Sequence, residues 1–409
     1  MRHLRVAGAT LLAICASAVL WAPGIRACTT AVVSGRATHD GRPLLWKNRD
    51  ADDKRNQVVF CDDGKYAYAG VVNGGDRAGL DLWAGVNVRG FAIMNSASYN
   101  LEGGEDTRGE GRFMKLALQS CAGLDDFQRL LETAGTEALD VCANFGVIDA
   151  EGGAAYFEVG PKGYKRFNAN DPAIAPRGYI VRTNYSETGS REEGTGLLRH
   201  DRAVALVESL IKGGGLDAGS LMKSVARDVA NERLQSFPAE YRKRGPAWAY
   251  TGDSICRYDT ASLFLARGVR AGEDPRLSFA WIIPSLPLAG AAAPVWPSAG
   301  TVPAELGTGE ETSPLTAAFG RVKERLYPAE RGDLAKYMDL QAYAGGLKPV
   351  LAGLLAAEAR NAEKVEAALA DWGGVFPGPE KVAALQNALA ADTLFAVNAL
   401  LEEPPKGKR

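Results

Sequence analysis

Cys28 is the residue on which the chemistry of this chain turns. It follows MRHLR, a short basic segment, then VAGATLLAICASAVLWA, an apolar run, then PGIRA, which breaks a helix and ends on a small residue. That is the pattern of a secretory signal peptide over residues 1–27. Cleavage after Ala27 would leave Cys28 with a thiol and a free α-amine on one carbon. A thiol attacks an amide as its thiolate, and cysteine enzymes commonly use a histidine to make it. Beyond the leader only His39, in a tight turn, and His200, in LLRHDRA, remain, and neither sits in a persuasive setting. An α-amine with an ordinary pKa of roughly 7.7–8.0 can take the thiol proton itself and return it to a departing amine. Two other readings of the leader stay open. A single-span anchor is disfavoured, because about 20 apolar residues are wanted and Pro23 comes too soon. A lipoprotein signal, with Cys28 lipidated and non-catalytic, is disfavoured by Arg26 next to the cut.

The elements that must position Cys28 read as strands first. TTAVVS and PLLWKN flank the turn THDG, a hairpin signal at Asp40-Gly41. Strands continue at 57–61, 66–72, 80–88 and 91–95, the last two joined by the NVRG turn at 87–90. Residues 101–112, LEGGEDTRGEGR, form a charged, Gly-rich loop fit for a pocket lip. Helices are expected over 113–121 and 125–133, strands over 142–149, 154–159, 164–167 and 178–184, helices near 200–212 and 219–231, and strands over 261–269 and 277–284. Blocks of strands alternating with blocks of helices predict an α+β fold rather than βαβ units.

Residues 286–312, rich in Pro, Gly and Ala, read as a crossing linker. Beyond it, 313–409 reads as helical, opening with Ser313-Pro314 as N-cap and first helical residue. The expected organisation is therefore a signal peptide over 1–27, a catalytic domain over 28–285, the linker, and a C-terminal helical region.

The 409 residues carry a formal net charge of −2 and are 46% hydrophobic and 23% charged, an ordinary globular composition. Removing the leader takes away Arg2, Arg5 and Arg26 and no acid, which moves the charge to −5. A mildly acidic chain argues against nucleic acid or anionic membrane surfaces as partners. Cys28, Cys61, Cys121, Cys142 and Cys256 remain, an odd number compatible with one free thiol and up to two disulfides of undetermined pairing. Their spacing fits no metal finger, and with two histidines left neither a metal nor another cofactor is expected.

CTT at 28–30, followed by a hairpin and KNRD at 47–50, resembles the cysteine branch of the N-terminal nucleophile (Ntn) hydrolases. That branch includes choloylglycine hydrolase, penicillin V acylase, the Cys-Thr-Thr dipeptidases and the isopenicillin N acyltransferase-like hydrolases. The last group is the most similar over GRPLLWKNRD. The resemblance runs in ordered fragments from Cys28 to Pro284. It implies a four-layer αββα sandwich of two antiparallel sheets between helical layers, with a C-terminal helical extension. It makes Cys28 the nucleophile and Asp50 the carboxylate holding the α-amine and thiol. Lys47 stands where the family has arginine, keeping the charge but not the two-pronged fork. Arg49, expected on the opposite strand face, is not its substitute. GVNVRGFAIMN implies Asn95 as an oxyanion donor, RTNYSE implies Asn184 as a second site amide, and TGDSICRYDT implies Arg257 as the distal arginine. Tyr99 and Tyr185 are expected to line the pocket.

The resulting expectation is a secreted or periplasmic hydrolase of linear amides working through a thioester on Cys28. Its partner is a small-molecule amide: an N-acyl amino acid, a bile-salt-like amide, an acyl-amine or a short peptide. Stable membrane insertion is not expected after cleavage, and a homo-oligomer is possible. Two alternatives stand beside it: an acyltransferase passing the acyl group to an amine, and an envelope lipoprotein.

Overall fold

The structure, a computed structural model, describes residues 27–102, 109–230, 248–307, 309–329 and 332–402. The expected leader, apart from Ala27, and residues 103–108 of the expected lip at 101–112 lie outside the described residues.

Two antiparallel sheets face each other. The first has six strands in the order β10 (Tyr179–Arg182), β1 (Thr29–Val33), β2 (Leu44–Asp50), β12 (Thr260–Arg267), β13 (Phe279–Ile283) and β14 (Ala293–Val295). The second is a seven-stranded meander: β3 (Asn56–Cys61), β4 (Tyr68–Asn73), β5 (Ala84–Asn87), β6 (Ala92–Ala97), β7 (Ala143–Ile148), β8 (Ala154–Gly160) and β9 (Gly163–Asn168). The two hairpin turns expected at 40–41 and 87–90 are present, and Gly41 and Gly90 each take φ +75°, a conformation that favours glycine.

The sheets meet closely at Gly146, where a Cβ would lie 2.9 Å from Val32 Cγ2 and 3.1 Å from Leu45 Cδ1. A larger residue there would push the layers apart. Helices α1 (Glu110–Ser120) and α2 (Leu124–Ala134) cover the outer face of the meander. The aromatic residues Phe113, Phe127, Phe145 and Phe157 pack there at ring separations of 5.0–5.9 Å. Helix α3 (Leu197–Lys212) and the C-terminal helices cover the six-stranded sheet. The fold is the four-layer αββα sandwich, of α+β class.

One expected helix is shorter than its pattern. Over 219–231 the chain forms α4 (Ala218–Ser220), capped by Asp217, and then one π-helical turn at Leu221–Val225. Arg227 ends it by turning its guanidinium back onto the Met222 carbonyl.

Of the stretch 286–312, expected as a crossing linker, residues 286–299 are packed inside the molecule. Residues 285–299 are all buried, and β14 forms the sixth strand of the first sheet. A short helix α5 (Ala304–Gly307) follows, then α6 (Pro314–Leu326), with Ser313 accepting from the Thr316 amide as its N-cap. Strands β11 (Trp248–Tyr250) and β15 (Tyr337–Asp339) make a separate two-stranded sheet. Helices α7 (Leu340–Ala344), α8 (Lys348–Trp372) and α9 (Pro379–Glu402) are the last described elements.

Polar side chains of α8 and α9 satisfy the backbone of this inner stretch. Glu358 accepts from the Ala292 amide at 2.7 Å, and Gln386 accepts from the Trp296 amide and donates to the Thr301 carbonyl, both at 2.9 Å. Buried backbone groups need such partners, so the C-terminal helices complete the core.

Candidate active site

Alternation along β1 and β2 sorts the side chains before any long-range contact does. Thr30 and Val32 face the second sheet, where the Tyr156 hydroxyl donates to Thr30 Oγ1 at 2.8 Å. One step back, Cys28 lies on the same side, buried at 7% exposure. Thr30 pairs with Lys47, so Lys47 also faces the second sheet. Lys47 Nζ crosses to donate to Asn95 Oδ1 at 2.7 Å and to the Trp83 carbonyl at 2.8 Å. Arg49, two residues on, shares this face with Lys47, which corrects the expected opposite orientation. It does not compete for the site, because its guanidinium donates to Asn56 and Asn73 and stacks 4.4 Å from the Trp83 ring centroid.

Asp50 lies on the other face of β2, at its end. Thr260 Oγ1 donates to Asp50 Oδ1 and Arg257 Nε to Asp50 Oδ2, both at 2.7 Å. The pairing of β2 with β12 is irregular here: Thr260 faces Asp50 and Ser262 faces Arg49, leaving Ala261 between them. This β-bulge gives the chain the bend at the point where Thr260 meets the carboxylate. Arg257 Nη2 donates to the Ala27 carbonyl at 2.8 Å, the carbonyl bonded to the Cys28 nitrogen. One guanidinium therefore joins the Asp50 carboxylate to the junction where the α-amine would be freed.

The fourth contributor is Asn184, just past β10. Its Nδ2 donates to the Ala97 carbonyl at 2.9 Å and its Oδ1 accepts from Arg199 Nη2 at 3.1 Å. The turn around it is fixed from behind. Glu158, paired with Arg182, accepts from the Glu187 and Thr188 amides, and Asn144 donates to the carbonyls of Thr183 and Tyr185.

Arg199 was not singled out from the sequence. It is buried on α3, donating to the Cys28 carbonyl at 2.6 Å and to Thr29 Oγ1 at 2.9 Å, besides Asn184. The available signal was its spacing: Arg199, Ala203 and Val207 form the buried face of α3, which puts a cation on an apolar stripe. Thr260 was also missed, since a threonine opening a strand carries no distinguishing pattern.

Cys28, Lys47, Asp50, Asn95, Asn184 and Arg257 thus come together, with Arg199 added. Tyr99 is beside them, its amide donating to the Asn184 carbonyl at 3.3 Å. It opens onto a cavity of about 1210 Å³ shared with Leu101, Glu102, Glu158, Lys162 and Tyr164. Tyr185 does not line this cavity. It is 1% exposed, with its ring edge-on to His200 at 5.5 Å; the alternation that turns Asn184 toward the site turns Tyr185 into the core.

The site holds three cations against one carboxylate. Burial pushes Lys47 down to about 8, against the pull of charge on Cys28. Burial pushes Arg199 down to about 10, and the Arg257 charge adds to that. Burial also opposes the charge on Arg257, but Asp50 and Asp259 outweigh it and hold its pKa above the ordinary value.

The other thiols are unpaired. Cys61, Cys121, Cys142 and Cys256 are all free, and burial raises Cys121 and Cys142 to about 11 and Cys256 to about 12. His39 is exposed in its turn, and His200 pairs with Asp201 on a different side of α3 from Arg199. Among the described residues no cluster of His, Cys, Asp or Glu is arranged to hold a metal.

No family model and no curated protein matches the sequence. Solved structures similar to this chain include an N-acylethanolamine-hydrolyzing acid amidase ortholog from Caenorhabditis elegans. It shows 13% identity and a TM-score of 0.39, covering 61% of this chain and 93% of its own. The conjugated bile acid hydrolase from Clostridium perfringens shows 12% identity and a TM-score of 0.38, covering 66% and 92%. Penicillin V acylase from Agrobacterium tumefaciens shows 11% identity and a TM-score of 0.38, covering 66% and 86%. With TM-scores below 0.5, the functional reading rests on the chain's own geometry.

Proposed function

We propose that the chain is an Ntn hydrolase of linear amides, with Cys28 as nucleophile once the leader is removed. The observation that supports this most is the Asp50–Arg257–Ala27 chain of contacts. Removal of Ala27 leaves the new α-amine of Cys28 next to a guanidinium already fixed on a carboxylate. That amine takes the thiol proton, and the Cys28 sulfur attacks the substrate carbonyl. The C–S bond forms as negative charge moves onto the carbonyl oxygen. Asn95 supplies an Nδ2 donor whose direction is set by Lys47 holding Oδ1, and preorganised donors of this kind act where charge develops. The α-amine then protonates the leaving amine as the C–N bond breaks, giving a thioester. Water, activated by the same amine, breaks the C–S bond and releases the acid.

The leader directs secretion or export to the periplasm in this reading. The substrate in this reading is a small N-acyl compound.

The test is a chain beginning at Cys28, assayed on a panel of N-acyl amino acids, bile-salt amides, penicillin V and short peptides. Intact mass should show an unmodified N-terminal cysteine, and a thioester mass should accumulate with slow substrates. Cys28→Ser and Cys28→Ala should both be nearly inactive. A diacylglyceryl mass on Cys28, or full activity in Cys28→Ala, would refute the reading. Transfer of the acyl group to an added amine faster than to water would make it an acyltransferase.

A further inference from the structure

We infer that the C-terminal region is a working part of the catalytic apparatus, with Lys323 of α6 as the positioning residue that fixes the Arg257 segment against Asp50. This rests on the reading of Cys28 as nucleophile and assigns that site a second, remote support.

Arg257 lies between β11 and β12, in a connection whose middle is tied to the sandwich, the Cys256 amide donating to the Asp228 carbonyl at 2.8 Å, Ser254 Oγ to the Val229 carbonyl at 2.8 Å and the Ala51 amide to the Asp259 carbonyl at 3.1 Å. Residues 323–329 and 332–339 grip it on both sides. Upstream, β15 pairs with β11, Ala249 opposite Met338. The amide and hydroxyl of Thr251 both donate to the Lys336 carbonyl at 3.0 Å, and the Tyr327 hydroxyl lies 3.0 Å from Thr251 Oγ1. Downstream, Lys323 Nζ donates to the Tyr258 carbonyl at 2.6 Å and sits 4.6 Å from the centroid of the Tyr258 ring. The Tyr327 ring closes on the same tyrosine, edge-on at 5.5 Å. Tyr258 is the residue after Arg257, and Thr260, two further on, holds the second oxygen of Asp50.

The chemistry of Lys323 separates positioning from filling. Its side chain is buried, and among the described residues its hydrogen bond goes to a backbone carbonyl, while the nearby Asp259 pairs with Lys54. Burial, followed by the like charge of Lys54, pushes Lys323 down to about 7. An ammonium kept under such conditions is costly, and an apolar side chain of similar volume usually serves stability as well or better. What the amino group adds, charged or neutral, is direction: an N–H donor fixed on one carbonyl, with an aromatic face beneath it. Because the catalytic geometry passes from Tyr258 through Arg257 to Asp50 and the α-amine, a shift of the segment by about 1 Å is enough to lower the rate by about 100-fold.

The experiment uses the full chain from Cys28 in five forms: wild type, Lys323→Met, Lys323→Arg, Tyr327→Phe and Lys364→Ala. The last breaks an exposed pair with Asp392 on the same C-terminal region. Two readouts are taken: kcat and KM on the N-acyl panel, and, independently of substrate, the rate of Cys28 alkylation by iodoacetamide located by mass spectrometry. Lys323→Met should lower kcat and the alkylation rate about 10- to 100-fold, with KM within about twofold and the thermal melt little changed. Lys323→Arg should restore most of the loss, and Lys364→Ala should match wild type. If Lys323→Met does not fold, Tyr327→Phe, which removes one hydroxyl, carries the test and should show the same loss in kcat and alkylation. Wild-type kcat and alkylation in a folded Lys323→Met or Tyr327→Phe, or a loss that Lys323→Arg leaves uncorrected, overturns the inference. Failure of the underlying reading looks different: the activity would persist in Cys28→Ala.

Discussion

At the scale of single residues, the departure of Lys47 from the arginine that the resemblance implies has a consequence that pH can expose. A guanidinium keeps its charge throughout the range in which enzymes are assayed. The Lys47 ammonium does not, because burial brings it from 10.5 to about 8. Below that value Lys47 donates to Asn95 Oδ1 as a cation; above it the charge is lost. The value of kcat/KM should therefore fall as pH rises past about 8, and in Lys47→Arg this limb should move to higher pH, which a pH–rate profile on one N-acyl substrate reads directly. Stability runs the other way. The folded chain carries the full cost of the buried charge below pH 8 and is relieved of it between 8 and 10.5, where the unfolded chain still binds the proton.

At the scale of elements, α3 does more than cover the six-stranded sheet. Its buried face carries one arginine whose three contacts tie the Cys28 carbonyl, Thr29 and Asn184 together. Helix register therefore enters the geometry of the Cys28 backbone, the nucleophile of the proposed reading. Arg199→Met removes the side-chain donor to the buried Cys28 carbonyl, at a cost of about 1–3 kcal/mol. A lower urea midpoint together with a reduced kcat is the expected outcome; unchanged values for both would show that α3 only covers the sheet. The strands were readable from their β-branched runs and turn residues, and both hairpins fall where Asp40-Gly41 and NVRG place them. The π-helical turn at Leu221–Val225 was not, because the periodicity of Leu221, Val225 and Val229 is helical, whereas the break accompanies the contacts of Arg227 with the Met222 carbonyl and with the distant carbonyls of Pro287 and Gly290.

At the scale of the whole molecule, the C-terminal helices and the sandwich share one core. Arg227 and Glu358 form a buried two-pronged pair at 2.9 and 2.7 Å, joining the π-turn segment to α8 across 131 residues. Glu358→Ala leaves Arg227 with an uncompensated buried charge, a loss of about 3–5 kcal/mol. Urea unfolding should show it as a lower midpoint with one cooperative transition, the sandwich and the C-terminal helices melting together. Two separate transitions would mean that the helices fold as an independent unit. The composition of 286–312, Pro, Gly and Ala, suggested a linker because small and turn-forming residues usually mark exposed connections. Here small size serves close packing: Ala289, Ala291, Ala292 and Ala293 are fully buried, and Gly290 lies against Ile283 and Phe319.

The sequence by itself determined the local features: the strands, the hairpins, the N-cap at Ser313, and a cysteine placed at the end of a leader pattern. These depend on residues within a few positions of one another, so the chain carries them in its spacing. Only the tertiary structure decided that Arg199 belongs to the site, that Tyr185 does not line the cavity, that Arg49 is occupied elsewhere, and that Lys323 stands behind Arg257. Each of those outcomes is a contact between residues far apart in the chain. It is fixed by which face a helix or strand buries, and by which distant carbonyl or carboxylate meets a desolvated charge there.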